Sequence, residues 1–346
     1  DSGVDEWFSF IEDINENILA EFRRQNGRRV RVAVLDTGVD MRNAVFSDRE
    51  VRRRIKARVD FLDPEGFGLD TCGHGTHCVS LVNRVAPAAD IYVGRVACDF
   101  DSGVDEEVVA KASPHSDPSP LLLTSACLMH QAIRKALGPK DVDGNWDVDV
   151  LSLSFGFPRL SEAIKAALDE THRPDKLILA AASNHGTRRG VAYPASRTGI
   201  ITIHAADADG RPCNFNPSAD PGNSLSILGK NVEAAWTCHG DPTNPASVRR
   251  MTGTSVATPI AAGVVSLLLE MTMLDVPGDP ATEATLRQMH PMLKTYDGMM
   301  AVLTDMTART QGYHNIVPWN VLDSTKTVAN IAKYLREWVL NRRFGM

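Results

Sequence analysis

Apolar residues follow two rhythms along this chain. One is a helical spacing near the start, where Trp7, Phe10, Ile11, Ile14, Ile18 and Phe22 recur with acids between them. It predicts an amphipathic helix over 5–22, ended by Gly27. The other is a series of short apolar runs bounded by turn formers, at 30–35, 89–96, 148–154, 176–182 and 199–205. These runs predict strands buried on both faces. Helical segments over 73–82, 122–137 and 162–168 separate them, so the order predicts an α/β fold, a mostly parallel sheet covered by helices on both faces. The longer run Ile260 to Leu269 has no polar face and predicts a buried helix.

At 277–280 the sequence Pro-Gly-Asp-Pro breaks this pattern, and a methionine-rich, mostly helical tail follows. Val328, Ile331, Leu335, Trp338 and Val339 place one amphipathic helix within 326–340. Three segments are therefore expected: an N-terminal helix (1–29), a main domain (30–275) and a mostly helical C-terminal extension (276–346). The extension has too few apolar positions for a core of its own and is expected to dock elsewhere. Residues 113–120, rich in Ser and Pro, read as an exposed insertion. The hexapeptide Asp-Ser-Gly-Val-Asp-Glu occurs at 1–6 and again at 101–106, with no physical account.

Composition narrows the class only modestly. With 346 residues, 43% apolar and 23% charged, the chain is of globular type. A net charge of −6 makes no general case for nucleic-acid binding. The arginines at 23, 24, 28, 29, 31 and 52–54 have acids interspersed and no aromatic stacking partners, so they read as solvated faces. No stretch reaches membrane-spanning length without charges, and no basic-then-apolar leader opens the chain. Neither nucleic acid nor membrane is expected as a partner. Cys72, Cys78, Cys98, Cys127, Cys213 and Cys238 match neither a disulfide scaffold nor a zinc pattern. There is also no glycosylation sequon. Intracellular residence is expected, with secretion after loss of a signal and propeptide as the alternative.

Candidate chemistry collects at the carboxyl ends of the predicted strands, where open α/β sheets bind ligands. Asp36, Ser154-Phe155-Gly156 and Asn184 all fall there. Ser255 opens the buried helix, where free N–H groups and the positive dipole end favour negative charge. Alone it would be an ordinary N-cap. Serine attack on a carbonyl also needs a base and a group that orients the base. His74, opening the helix at 73–82, and Asp36 are available for these roles. His74 and His77 lack a third ligand with metal spacing, so no metal site is expected.

Val32-Ala33-Val34-Leu35-Asp36-Thr37-Gly38-Val39-Asp40, Gly73-His74-Gly75-Thr76-His77-Cys78 and Gly253-Thr254-Ser255-Val256-Ala257-Thr258-Pro259 resemble the three signature blocks of the subtilisin-like serine proteases, in that family's chain order. The resemblance spans 30–270. It implies a three-layer sandwich and a serine endopeptidase, with Ser255 as nucleophile, His74 as base and then acid, and Asp36 as the orienting carboxylate. It places Asn184 in the oxyanion hole, assisted by Thr254 and the Ser255 N–H. Ser154, Phe155 and Gly156 become a substrate-binding edge opposite the stretch from Gly94 to Asp101. A polypeptide substrate is implied, with a propeptide, flanking domain or inhibitor as further partner.

The chain departs from the family pattern in several places. Ser183 stands where Gly is usual, and Val256, Thr258 and Ile260 replace Met, Ser and His. The link between Cys78 and Val85-Ala86-Pro87 is shorter than in members with a strong calcium site, so no cofactor is required and a strong calcium site is not expected. Cys78 resembles the branch that includes proteinase K and implies thiol sensitivity. Asp99, Asp101, Asp105, Glu106 and Glu107 would favour basic substrate residues, whereas Arg188 and Arg189 would favour acidic ones. A subtilase scaffold serving as a protein-interaction domain with little turnover is the alternative reading.

Overall fold

The computed structural model describes residues 2–23, 27, 29–63, 65–98, 125–140, 142, 144–171, 173–220 and 224–344. The acidic stretch 99–107, the insertion 113–120, the second hexapeptide and the side chains of Phe22, Trp338 and Val339 lie outside the described residues.

The strands are β1 Arg31–Asp36, β2 Ile55–Asp60, β3 Asp90–Arg95, β4 Val150–Leu153, β5 Leu177–Ala181, β6 Ile201–Ala206, β7 Leu225–Leu228, β8 Val232–Ala235, β9 Val248–Met251, β10 Thr307–Thr310 and β11 Tyr313–Ile316. Nine of them form one sheet in the order β10-β11-β7-β6-β5-β4-β1-β3-β2. Every neighbouring pair in it is parallel except β10 and β11. β8 and β9 form a separate antiparallel hairpin.

The helices are α1 Ser2–Asp13, α2 Ala20–Arg23, α3 Arg49–Arg54, α4 His74–Val85, α5 Ser125–Leu137, α6 Glu162–Glu170, α7 Thr254–Met271, α8 Pro280–Leu293, α9 Tyr296–Asp305 and α10 Val328–Phe344. A π-turn, Ile14–Leu19, joins α1 to α2. Successive residues of β1 point to opposite faces. Val32 and Val34 pack with Val79, Val82 and Val265 from α4 and α7, whereas Ala33 and Leu35 pack with Met129, Ile133 and Ile164 from α5 and α6. A strand buried on both faces has no room for a polar alternation, which is why it reads as a continuous apolar run. The expected sandwich is the observed one.

The buried helix is longer than its apolar run predicts. It starts at Thr254 and has the length and hydropathy of a membrane span, yet 89% of it is buried inside the fold. A Cβ on Gly263 would sit 2.5 Å from the Val85 Cβ, so this glycine lets α7 and α4 pack at close range. Pro259 lies inside α7 and has no N–H to give the Ser255 carbonyl one turn earlier. The Cys78 thiol faces that carbonyl at 3.7 Å.

The three expected segments share one core. Phe8, Ile11, Ile14 and Leu19 from the N-terminal helix are fully or almost fully buried in the same cluster as α7. Burial of each such side chain contributes roughly 1.5–3 kcal/mol. Leu286, Met289, Val302, Leu303, Ile316 and Leu335 of the C-terminal extension join that cluster too. The extension also carries β10 and β11, which the sequence pattern does not predict; β11 adds in parallel to β7 and lengthens the sheet. The two ends of the chain meet where Phe10 stacks on Trp319 at 4.5 Å and Trp7 meets it edge-on.

Candidate active site

Three neighbouring strands deliver the first parts of the site. Asp36 ends β1, Ser154 follows β4, and Asn184 lies just beyond β5, so all three meet at the carboxyl edge of the sheet. His74 and Ser255 come from the first turns of α4 and α7, which lie against one another.

Asp36 is fully buried, and its Oδ1 lies 2.7 Å from His74 Nδ1. The Thr37 N–H donates to the same oxygen at 2.8 Å. A carboxylate can only accept, so the contact places the imidazole proton on Nδ1 and leaves Nε2 as the nitrogen able to take a proton. Burial works to lower the His74 pKa, but the negative charge of Asp36 outweighs it and raises the value well above 6.5.

Cys78, one turn further along α4, is buried behind this pair. Its Sγ lies 3.7 Å from His74 Nδ1, 3.6 Å from Ser154 Oγ and 3.7 Å from the Ser255 carbonyl. The thiol thus packs between the base and the backbone of the candidate nucleophile. Burial pushes its pKa up, so it stays protonated. Asp36, His74 and Cys78 have ligand-type atoms within 4.8 Å of one another. Because Nδ1 already holds a proton shared with Asp36, a cation there would have to displace that proton and break the pair.

The oxyanion side is built around Gly253. A Cβ at this residue would fall 3.1 Å from Asn184 Nδ2 and 3.2 Å from Ser255 Oγ, so the amide donor and the hydroxyl flank one small space. The orientation of Asn184 is set by Thr254, whose N–H donates to Asn184 Oδ1 at 2.8 Å and whose hydroxyl donates to it at 3.1 Å. With Oδ1 engaged twice, the NH2 group is the part that can meet a developing oxyanion. Thr254, expected beside Asn184 in the oxyanion hole, therefore also has a part in placing that amide. In this arrangement both of its donors point at Asn184 Oδ1, which leaves Nδ2 facing the space beside Gly253. Ser183, where Gly is usual, has φ +141°, a conformation costly for an L side chain by about 1–3 kcal/mol. The Ser183 N–H donates to Thr254 Oγ1 at 3.3 Å, which helps hold that conformation.

Of the expected substrate edge, only Gly156 is exposed; Ser154 turns towards Cys78, and Phe155 is buried against Phe157. A Cβ on Gly156 would fall 2.6 Å from the Ala192 Cβ, so this edge must remain bare backbone. Arg188 and Arg189 are exposed just after Asn184.

His77, the second histidine of the motif, is fully buried and turns away, its Nε2 lying 3.2 Å from the Val232 carbonyl. Burial lowers its pKa to about 4, and His204 in β6 is lowered to about 4 by the same cause. Below pH 6.5 the unfolded chain takes up both protons, whereas the folded chain resists until about pH 4. Their stabilisation is therefore present above pH 6.5 and lost as pH falls towards 4, by roughly 1.4 kcal/mol per pH unit for each histidine at the steepest. The contribution of His74, raised by Asp36, is already complete below pH 6.5 and does not offset the loss. Urea unfolding at pH 7 and pH 5 should show a clear drop in midpoint at the lower pH; equal midpoints would contradict this.

A family model described as the subtilase family matches residues 27–290. Among curated relatives, a thermostable alkaline protease of Halalkalibacterium halodurans is 29% identical over 251 residues, which cover 70% of this chain and 57% of that protein. The subtilisin-like protease het-Q2 of Podospora anserina is 29% identical over 325 residues, 82% of this chain and 81% of its own. An intracellular serine protease of Paenibacillus polymyxa is 27% identical over 269 residues, with coverage of 73% and 70%. The solved structure of the prenylagaramide maturation protease aligns with a TM-score of 0.58 at 19% identity, covering 94% of this chain and 98% of that one.

Proposed function

The chain belongs to the subtilase family, and from that premise we propose that it is a serine endopeptidase in which Ser255, His74 and Asp36 act as one unit. The observation that carries the assignment is the 2.7 Å contact between Asp36 Oδ1 and His74 Nδ1, which readies Nε2 as a base. Ser255 Oγ attacks the peptide carbonyl and its proton passes to His74. Asn184 Nδ2 and the Ser255 N–H hold the oxyanion. The C–N bond then breaks, His74 returns the proton to the leaving amine, and water repeats the cycle on the acyl-enzyme. The substrate lies extended along the Gly156 edge, where main-chain hydrogen bonds bind it.

The chemistry uses a hydroxyl, an imidazole, a carboxylate and an amide, and it requires no cofactor. A strong calcium site is not part of the proposal, because α4 runs unbroken to Val85 and the chain re-enters the sheet at Asp90. Intracellular residence is supported by the unbridged thiols of Cys72, Cys78, Cys98, Cys213 and Cys238.

A fluorophosphonate probe tests the assignment. It is expected to add one phosphonyl group per folded molecule, on the proteolytic fragment that contains Ser255. A folded protein that stays unlabelled, or labels elsewhere, would overturn it.

A further inference from the structure

Asp70 lies outside every motif read from the sequence, on the loop between β2 and α4, and it is fully buried. Its carboxyl accepts five hydrogen bonds: Oδ1 from Thr37 Oγ1 at 2.9 Å, Cys72 N at 3.0 Å and Gly73 N at 2.7 Å, and Oδ2 from Thr76 N at 2.7 Å and Thr76 Oγ1 at 2.6 Å. Thr37 directly follows Asp36, and its hydroxyl also accepts from the Gly75 N–H at 2.8 Å. Gly73, Gly75 and Thr76 surround His74. Thr76 Oγ1 reaches back as well, accepting from the Asp40 N–H at 3.0 Å.

We propose that Asp70 is a positioning residue for the catalytic pair, clamping the end of β1, which carries Asp36, to the helix start that carries His74. The inference rests on the triad assignment above and extends it. Capping α4 alone would engage only the N–H groups of its first turn. The bond to Thr37 is different, because it reaches the strand that supplies the other partner. Asp36 and His74 come from separate elements, and nothing in their own backbone sets their separation. A misplacement of about 1 Å in such a pair lowers the rate on the order of 100-fold.

All five partners donate, so a carboxamide cannot substitute; whichever way it turned, its NH2 would face backbone N–H groups. Asp70→Asn is expected to lower kcat ten- to hundredfold with KM changed less than twofold. It also removes a carboxylate, so a charge-neutral pair is needed beside it. Thr37→Ser keeps the hydroxyl bridge and should retain kcat within about twofold, whereas Thr37→Val should lose much of what Asp70→Asn loses. In the double variant Asp70→Asn with Thr37→Val the losses should not multiply, because either change breaks the same link. His74 titration followed by NMR should shift downward in Thr37→Val and not in Thr37→Ser. The titratable groups around the ring, Asp36 from β1, Cys72 from the preceding loop, and His77 and Cys78 from α4, are untouched by these changes.

Folded Asp70→Asn with unchanged kcat, or losses that multiply in full, would overturn the proposal. Should Asp70→Asn not fold, the two Thr37 variants decide, and equal kcat and equal His74 titration in both would overturn it. An inactive wild type would instead reject the endopeptidase assignment, while the NMR titration would still report on the clamp.

Discussion

Ser255→Ala is expected to lower kcat/KM for a peptide substrate by about 10⁶, nearly all of it in kcat. Oγ is the atom that bonds to the carbonyl, and it flanks the space beside Gly253 together with Asn184 Nδ2. The backbone should be undisturbed, because α7 is seated by its apolar residues and its first turn is closed by Gly253 as acceptor, not by the Ser255 side chain. Binding should survive, so KM or the affinity for a product peptide should change by less than about threefold. A residual rate above water belongs to the oxyanion donors and to substrate binding. Asn184→Ala added to Ser255→Ala should lower that residue further, which separates the amide from the nucleophile. A variant retaining more than about 1% of wild-type kcat would reject Ser255 as nucleophile.

Asp36→Asn is expected to lower kcat by about 10⁴ at neutral pH without disturbing the fold. Two distinct losses combine. If the amide NH2 faces Nδ1, the ring must carry its proton on Nε2 and cannot act as base. If the amide oxygen faces Nδ1 instead, the tautomer is right but the imidazolium has lost its counter-charge. The pH profile distinguishes this from simple disorder. Only neutral His74 can accept the serine proton, so wild-type kcat/KM should rise with pH through an apparent pKa above 6.5, in keeping with the raised value. Without the Asp36 charge, which is the largest cause opposing burial, the midpoint should fall. The same pairing contributes stability below pH 6.5 that is lost as pH rises through the raised pKa. A decrease in kcat smaller than tenfold, or an unmoved midpoint, would contradict this reading.

Much of the frame was legible because strands buried on both faces advertise themselves. Val32 to Leu35, Val150 to Leu153 and Leu177 to Ala181 have no polar alternation, and all three became central strands. Edge elements gave no such signal. Thr307–Thr310 is short and partly polar, since the outermost strand pairs on one side and keeps a face open to water, whereas Tyr313–Ile316, paired on both sides, spans only four residues and carries His314 and Asn315 within them. The docking surface of the extension after 275 was not legible for a related reason. Periodicity shows that a helix has an apolar face without showing which surface receives it, and here one core receives Phe8, Leu286 and Leu303 alike.

Residue identity and order alone pointed to the candidate chemistry: a carboxylate at a strand end, a histidine and a serine at helix starts, and an asparagine beyond a fourth element. Each sits in a motif whose backbone conformation is settled within a few residues, so its identity and order suffice to read it. How those groups are aimed is set by contacts between distant segments. Thr254 turns the amide of a residue 70 positions away, Asp70 joins Thr37 to Thr76, and Cys78 packs between His74 and Ser255. Those bonds depend on where the crossovers bring distant segments together, and local pattern carries no record of that.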